Sequence, residues 1–240
     1  MDRQAMEPQG WALRAYYEGD LDAELIIHRD DGVDDPLPVG HFFRDPSEFT
    51  GIETSAIDLC SAHVLDAGAG TGLHSLVLQQ KGVAVTAIDI NPKAVAIMAQ
   101  QGVKDARTAD IFGFDGGPFA TILMLGHGVG MVETIGGLSC FLSQARGLIS
   151  KNGQVLLDSQ DVCLTDDPRH LAYHEANRRA GRYIGEIRLR LSFRGKMGPR
   201  CGWLHVDPET LREQAESTGW SSTVIRQEES GHYLARLRRQ

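Results

Sequence analysis

Three glycines at alternate positions form the part of the sequence best suited to holding a ligand. Gly68, Gly70 and Gly72 come just after the apolar pair at 64–65, and Asp66 stands between that pair and the glycines. Glycine has no side chain to keep a ligand away from the backbone, and it tolerates the positive φ angles of tight loops. The stretch therefore predicts a site where a small molecule approaches the backbone closely.

Two common phosphate-binding patterns do not fit this loop. The dinucleotide fingerprint G-x-G-x-x-G/A needs a third small residue, but Leu73 occupies that position. The phosphate loop of nucleotide hydrolases needs a lysine directly after its glycines, and the first lysine here is Lys81. A nicotinamide oxidoreductase is therefore disfavoured. What remains is an acid at the end of an apolar run, followed by alternating glycines.

Apolar runs rich in Val, Ile and Leu predict buried strands on both sides of this loop. These runs occupy 63–68, 83–90, 119–125 and 153–159, with a shorter strand at 106–110. Apolar residues recur at helical spacing between the runs. Asn91-Pro92 is typical of a helix start, and Asn152-Gly153 is expected to end a helix before the next strand. The alternation of strands and helices predicts a parallel sheet with helices on both faces.

The end of the chain departs from this alternation. Residues 207–220 predict a capped amphipathic helix, and 221–230 and 231–239 predict two strands separated only by Gly231. Strands joined so closely must be antiparallel neighbours. The sheet is therefore expected to end in an antiparallel hairpin.

The motifs together resemble those of class I S-adenosylmethionine-dependent methyltransferases over roughly residues 60–160. The acid with alternating glycines, Asp89 in VTAIDINP, Asp110 in TADIF and the run FATILMLGHG occur in the order and spacing of that family. The resemblance implies an α/β, Rossmann-like methyltransferase fold with a mostly parallel seven-stranded sheet and an antiparallel C-terminal hairpin. It also implies S-adenosyl-L-methionine as the cofactor and S-adenosyl-L-homocysteine as its product.

The same resemblance implies roles for single residues. Asp66 would receive the cofactor's ammonium group, although it could instead only fix the turn. Asp89 would accept hydrogen bonds from both ribose hydroxyls, and Asp110 would accept one from the adenine amino group. The glycines would keep Cβ atoms away from the methionine and ribose portions. The residues expected to bind the cofactor are Asp66, Gly68, Ala69, Gly70, Gly72, Asp89, Ile90, Asp110, Ile111, Leu125 and Gly126.

The catalytic residue is harder to predict, because the methyl donor is already activated and the protein mainly positions the acceptor. His127 follows the strand that leads to the active-site mouth, so its imidazole could act as a general base or hydrogen-bond the acceptor. A structural role for this histidine stays open. His74 could line the cofactor cleft or pack. Glu133 is another acid close to the mouth, and a place in the first turn of the next helix is favoured over a catalytic role.

Two segments outside the predicted core are expected to choose the acceptor. We expect residues 1–58 to form a lid. Residues 59–240 are expected to form the catalytic domain, with an insertion at about 160–206. Within the insertion, 185–195 alternates apolar and cationic residues and predicts a strand paired with 201–207. That hairpin could cap the active site or pair across a homodimer. Lid residues that could wall an acceptor pocket, or simply pack, are Trp11, Tyr16, Tyr17, Phe42 and Phe43; Arg44 could bind a ligand carboxylate or form a surface ion pair.

Charge is distributed unevenly along the 240 residues, whose net charge is −8. Residues 1–65 hold fourteen acids and four arginines, which disfavours nucleic-acid binding, whereas 178–200 hold eight basic residues and one acid. The basic run is either a solvated surface or a site for an anionic substrate. We expect methyl transfer to a small molecule. RNA or protein methylation and non-catalytic cofactor binding are the alternatives.

Cysteines and apolar segments bear on location and metal content. Four scattered cysteines, without a CxxC pair or a paired histidine spacing, predict reduced thiols and no zinc site. No apolar run is long enough to span a membrane, and the first ten residues lack the apolar core of a signal peptide. A cytoplasmic protein without a membrane partner is expected.

Overall fold

The computed structural model describes residues 1–240 and contains two β-sheets. The strands are β1 (Glu24–Arg29), β2 (Asp34–Pro38), β3 (His63–Ala67), β4 (Ala84–Asp89), β5 (Ala106–Thr108), β6 (Phe119–Met124), β7 (Ile149–Gln160), β8 (Glu186–Phe193), β9 (Lys196–Met197), β10 (Cys201–Leu204), β11 (Trp220–Gln227) and β12 (His232–Arg239). The α-helices are α1 (Glu7–Tyr17), α2 (Gly51–Leu59), α3 (Leu73–Gln80), α4 (Pro92–Gln101), α5 (Ile135–Leu148), α6 (Pro168–Arg179) and α7 (Pro208–Ser217). None of these helices combines the length and apolar character that a membrane span requires.

The larger sheet has seven strands in the order β11-β12-β7-β6-β3-β4-β5. Strands β3 to β7 run parallel to one another, and β12 pairs antiparallel with both β7 and β11. The expected Rossmann-like methyltransferase fold with an antiparallel C-terminal hairpin is therefore confirmed. Because the strand order reverses between β3 and β6, the loops after β3, β4 and β6 meet at one edge, where α/β proteins bind ligands.

Helices cover both faces of this sheet. Helices α5 and α7 pack on one face and α2, α3 and α4 on the other, each around a buried apolar cluster. Neighbouring residues of β3 point to opposite faces, so Val64 belongs to one cluster and Leu65 to the other. This two-sided burial explains why the parallel strands are continuous apolar runs. Helix α2 lies within the segment expected to be the lid but packs on the central sheet.

The expected end of a helix at Asn152-Gly153 is wrong. Helix α5 already ends at Leu148, β7 begins at once, and both residues lie inside β7. The register between β6 and β7 shifts here, and a Cβ on Gly153 would lie only 3.0 Å from the carbonyl oxygen of Phe119. Gly153 therefore permits an irregular, close approach of two strands. In the sequence, a glycine with this role resembles a glycine in a turn.

The second sheet joins the two segments that the sequence suggested were separate. Its order is β10-β8-β1-β2, and β1 from the N-terminal segment pairs antiparallel with β8 from the insertion, with Ile27 opposite Leu191. The expected pairing of β8 with β10 is present. The hairpin therefore extends a sheet of its own chain. We call this second sheet, β1, β2 and β8 to β10, the roof.

The start of helix α4 connects the roof to the central sheet. Asn91 caps α4 as expected, because its side chain accepts the Lys93 N–H at 3.0 Å. Its amide also donates to the Met6 carbonyl at 2.6 Å, just before α1. Gly10 lies against the same amide, where an added Cβ would be 2.3 Å from the Asn91 nitrogen. Helix α1 therefore sits directly on the cap of α4.

Candidate active site

The loop between β3 and α3 folds around three left-handed glycines. Gly68, Gly70 and Gly72 have φ angles of +73°, +57° and +84°, a region that side-chain-bearing residues rarely adopt. The N–H groups of Gly68 and Ala69 both donate to the Ile88 carbonyl, at 2.9 and 3.0 Å. An added Cβ on Gly70 would meet no atom within 4 Å, so this part of the loop faces open space.

The three glycines do not share one role. An added Cβ on Gly68 would lie 2.4 Å from the Met131 methyl, across the mouth of the site. On Gly72 it would lie 2.7 Å from Val103 and 2.9 Å from Met98, inside the core beneath α3 and α4. Gly72 is also not among the residues that line the cavity. The missing Cβ of Gly72 therefore makes room for helix packing, and a contact of this residue with the cofactor stays a prediction.

Asp66 points away from the open space. Its side chain is 2% exposed and accepts the hydroxyl of Ser75 in α3 at 2.6 Å. Burial raises the pKa of this carboxyl, partly opposed by His74 and Ser75. The carboxylate thus ties β3 to α3, in line with the turn-fixing alternative, and it does not line the cavity.

Asp89 ends β4 and holds the glycine loop. Its carboxylate accepts the Gly70 N–H at 3.0 Å and the Asn91 N–H at 2.7 Å. Burial raises the pKa of Asp89 to about 6, although these two hydrogen bonds favour the ionised form. The side chain lines the cavity beside Ile90. Each oxygen has lone pairs left, so the carboxylate can accept further hydrogen bonds from a ligand.

The next loop supplies Asp110 and Ile111. Asp110 caps a short 3-10 turn by accepting the Phe112 N–H at 3.0 Å. Both residues line the same cavity as the glycine loop, together with Leu125 and Gly126 after β6. The structure therefore brings nine of the eleven expected cofactor-binding residues to one cavity, and leaves out Asp66 and Gly72.

His127 lies at the end of β6 in an unusual backbone conformation. Its φ and ψ angles are +58° and +33°, and its N–H donates to Asp158 Oδ2 of β7 at 3.1 Å. The imidazole lines the cavity, its Nδ1 is buried without a partner, and burial lowers the pKa of the ring. A non-glycine residue in this region is strained, which is common where a side chain must be aimed.

Two further histidines surround His127. The ring centres of His127 and His232 are 4.6 Å apart, and those of His127 and His205 are 5.3 Å apart. Burial lowers the pKa of His205 to about 3, whereas a hydrogen bond to Asp158 raises the pKa of His232. His205 lines the cavity. His205 follows β10 and His232 begins β12, so spacing in the sequence could not reveal them.

An ion-pair cluster closes the side of the cavity next to α3. Arg44 and His74 both bind the Glu53 carboxylate, the latter at 2.7 Å. Burial disfavours the charge on Glu53, but hydrogen bonds from His74, Thr50 and Arg44 outweigh it and lower the pKa to about 2. Arg44 therefore pairs inside the protein and not at the surface. All three side chains of the cluster line the cavity.

Glu133 links the active-site loop to the roof. It precedes α5, contrary to the expected place in the helix's first turn, and its carboxylate accepts the Gly202 N–H at 3.0 Å. Gly130 of the same loop lies against Trp203, where an added Cβ would be 2.1 Å from the indole. The roof is thus held directly over the loop that carries His127.

One cavity of about 860 Å³ runs from the glycine loop to the underside of the roof. Of the expected aromatic wall only Phe42 lines it; Tyr16 and Tyr17 stack on Phe43 instead, and Trp11 lies under two lysines. The roof supplies the apolar wall through Leu25, Ile27, Leu37, Ile187, Leu189, Leu191 and Trp203, and α6 adds Tyr173. The residues of β8 and β10 belong to the hairpin that was expected as a possible cap of the site. Those of β1, β2 and α6 were not expected, because β1 meets β8 only through a pairing over a long sequence distance.

Comparison with known proteins places this site in a family. The methyltransferase domain model matches residues 65–156. A SAM-dependent methyltransferase from Bacteroides fragilis, crystallised with S-adenosyl-L-homocysteine, is 31% identical, with a TM-score of 0.85 over 98% of this chain and 95% of that one. No curated protein sequence matches.

More distant structures share the fold. Magnesium protoporphyrin IX methyltransferase from Synechocystis, with bound SAH, is 17% identical with a TM-score of 0.57, and the match covers 100% of both chains. The 1,6-didemethyltoxoflavin-N1-methyltransferase of Burkholderia thailandensis is 18% identical with a TM-score of 0.51, over 97% of this chain and 90% of that one. Together with the cavity at the glycine loop, the match to the Bacteroides enzyme shows that this chain belongs to the S-adenosylmethionine-dependent methyltransferases.

Proposed function

We propose that this methyltransferase acts on a small molecule bound between the cofactor and the roof. The observation that carries the proposal is the single cavity that contains both the glycine loop and the apolar underside of the roof. Its volume of about 860 Å³ lies near the upper end of small-molecule sites, roughly 300–1,000 Å³. The cavity has room for a cofactor with a small acceptor, and the roof keeps a folded macromolecule away.

The residues of the cavity fit the cofactor. S-adenosylmethionine supplies an activated methyl group when bound. Asp89 offers free acceptor lone pairs beside the glycine loop and suits the vicinal hydroxyls of the ribose, while Asp110 and Ile111 suit the adenine. Gly70 leaves the backbone open where a Cβ would intrude. We assign the methionine portion to the region of Gly68 and Met131, which line the cavity together with His127.

His127 is our candidate for the residue that contacts the acceptor. It lies at the end of β6, lines the cavity and has an unpartnered Nδ1. A buried nitrogen without a partner favours a bound molecule that supplies one. We propose that this imidazole holds the nucleophilic atom of the acceptor in line with the methyl group.

The charges of the cavity favour a neutral or basic acceptor over the anionic one that the basic run suggested. None of the eight basic residues at 178–200 lines the cavity. The two arginines that do, Arg29 and Arg44, already bind Asp31 and Glu53. The remaining charged side chains on the wall are acidic: Asp35, Asp89, Asp110, Asp161 and Asp166.

RNA or protein methylation is the less favoured alternative. The basic run would be its main support, and part of that run is already paired on the surface, Arg179 with Glu175 and Arg194 with Asp20. Four free cysteines support a reducing compartment, so we place the enzyme in the cytoplasm. A homodimer is compatible with the outer edge of β2, which pairs with no other strand of this chain.

Transfer of a radiolabelled methyl group tests the proposal. The purified enzyme is incubated with labelled S-adenosylmethionine and separate panels of small amines, phenols, carboxylates, RNA and protein. We expect label in a small amine or phenol. Label only in RNA or protein would overturn the proposal.

A variant of the roof makes this test specific. Ile187→Trp would fill the apolar side of the cavity, so turnover should fall while S-adenosylhomocysteine binding stays unchanged. Met197→Trp is the matched control, because Met197 is an exposed residue of the roof outside the cavity. Equal activity of both variants would argue against an acceptor under the roof.

A further inference from the structure

Unpartnered buried polar atoms gather at one place in the molecule. Only four buried side-chain polar atoms lack a hydrogen-bond partner, and three of them are His127 Nδ1, Asp158 Oδ1 and His205 Nδ1. Leaving such atoms unpaired is unfavourable, and more so for a charged group. Their concentration beside one cavity therefore indicates a bound partner that the protein side chains do not supply.

The geometry around Asp158 suits a small cation. One donor atom from each of His127, Asp158 and His232 lies within 4.8 Å of the others. Asp158 is 1% exposed; His232 Nε2 lies 2.7 Å from its Oδ2, and its Oδ1 is free. His127 follows β6, Asp158 lies near the end of β7 and His232 begins β12. These three strands are neighbours in the central sheet. Asp158 and His232 are fixed by β7 and β12, and the backbone N–H of His127 donates to Asp158 Oδ2 at 3.1 Å, which holds the loop after β6 beside them.

We propose that His127, Asp158 and His232 bind a divalent transition-metal ion in the wall of the acceptor cavity. Two imidazoles and one carboxylate suit zinc or ferrous iron, whereas magnesium and calcium prefer all-oxygen sites. Three protein ligands leave at least one coordination position open. Of the three ligands, His127 lines the cavity, so the ion would lie at the cavity wall.

A bound ion would determine how His127 contributes to binding of the acceptor. An acceptor hydroxyl in the open position would be held next to the methyl end of the cofactor and become more acidic, and the oxygen would keep a lone pair for attack on the methyl group after losing its proton. This consequence rests on the proposed function, but binding of the ion does not. His205 lies beside the site, with its ring centre 5.3 Å from that of His127, and can offer a hydrogen bond to a molecule on the ion.

Zinc titration of the full chain, produced without an affinity tag and treated with a chelator, tests the site. We expect one equivalent of Zn²⁺ to bind, and Co²⁺ to give the visible absorption of a protein-bound ion. Asp158→Asn keeps an oxygen for the His127 and His232 hydrogen bonds but removes the charge. His232→Gln removes one imidazole. Loss of an outer partner of a metal ligand costs about 10–100-fold in affinity, so each variant should lose about 100-fold or more.

His170→Gln is the matched control, since this histidine lines the same cavity but lies outside the cluster. Its metal affinity should equal that of the original chain. Binding of S-adenosylhomocysteine by every variant verifies that each is folded. If zinc does not bind stoichiometrically, or if it binds equally well to Asp158→Asn and His232→Gln, the metal site is refuted.

The two proposals fail separately. Methyl transfer to a small molecule by metal-free enzyme, with no zinc uptake, would remove only the metal site. Stoichiometric zinc uptake that depends on Asp158, in an enzyme that methylates RNA or protein alone, would remove only the small-molecule acceptor.

Discussion

Acidification should weaken cofactor binding and at the same time stabilise the ligand-free protein, and both effects originate at Asp89. Burial raises the pKa of this carboxyl to about 6, against the Asn91 and Gly70 N–H groups that favour its charged form. In the proposed site the ionised carboxylate accepts the ribose hydroxyls. Protonation converts one acceptor oxygen into a donor, so the affinity should follow the ionised fraction of Asp89.

The size of the effect follows from the pKa. With a pKa of about 6, Asp89 is almost fully ionised at about pH 7.5 and only about one-tenth ionised at about pH 5. The dissociation constant for S-adenosylhomocysteine should therefore rise about tenfold over this interval, equivalent to about 1.4 kcal/mol.

The stability of the ligand-free protein should move in the opposite direction. The pKa of Asp89 is raised from 3.8 to about 6 on folding, so the folded protein holds this proton more tightly than the unfolded chain. The stabilisation is complete below about pH 3.8 and is lost as the pH rises through about 6. The full difference is about 3 kcal/mol. About 1.4 kcal/mol of it should be recovered between neutral pH and about pH 5.

Calorimetric titration with S-adenosylhomocysteine and urea unfolding, each at a series of pH values, measure the two quantities. Asp89→Asn is the reference variant, since its side chain does not titrate; it should bind weakly at every pH. The histidines titrate equally in both proteins, so their contribution cancels in the difference. An affinity that stays constant down to pH 5 in folded protein, or the same pH dependence in Asp89→Asn, would refute the assignment.

Three other substitutions probe separate parts of the site. Gly72→Ala should lower the free energy of unfolding, measured by urea denaturation, by about 1–3 kcal/mol through strain and overpacking. Gly70→Leu should mainly weaken S-adenosylhomocysteine binding, and the reverse pattern would contradict the roles given to the two glycines. Glu53→Gln leaves Arg44 without its carboxylate and should destabilise the protein by about 3 kcal/mol; an unchanged melting temperature would show that the pair does not matter. His127→Ala should reduce kcat about 100-fold with cofactor affinity unchanged, and full turnover would exclude an essential role.

The cofactor half of the site could be predicted because its signals are local. The central parallel strands are buried on both faces, so each has an unbroken apolar sequence, and the binding residues follow directly at the strand ends. The sequence could not separate Gly70 from Gly72. Both have positive φ angles, and only the packed structure shows that one faces the cavity and the other the core.

The roof could not be predicted as one unit because its central pairing is non-local. Strand β1 hydrogen-bonds to β8, with Ile26 opposite Ser192. Strand β2, Asp34–Pro38, contains two prolines and four exposed or acidic positions, which locally resembles a loop and suits only an edge strand. The cluster of His127, Asp158 and His232 could not be predicted for the same reason, because these residues meet only when β6, β7 and β12 are neighbours.

One line of hydrogen bonds joins the two halves of the enzyme. Asp89 holds the Gly70 N–H with one oxygen and the Asn91 N–H with the other, and the Asn91 amide in turn holds the Met6 carbonyl at the start of α1. Helix α1 packs beneath the roof strands in one apolar cluster. The Asp89 carboxylate, which we propose binds the ribose hydroxyls, therefore also anchors helix α1, which supports the roof. Because desolvation makes the charged form of Asp89 costly without a ligand, cofactor hydrogen bonds to it would stabilise the cofactor loop and the acceptor wall together.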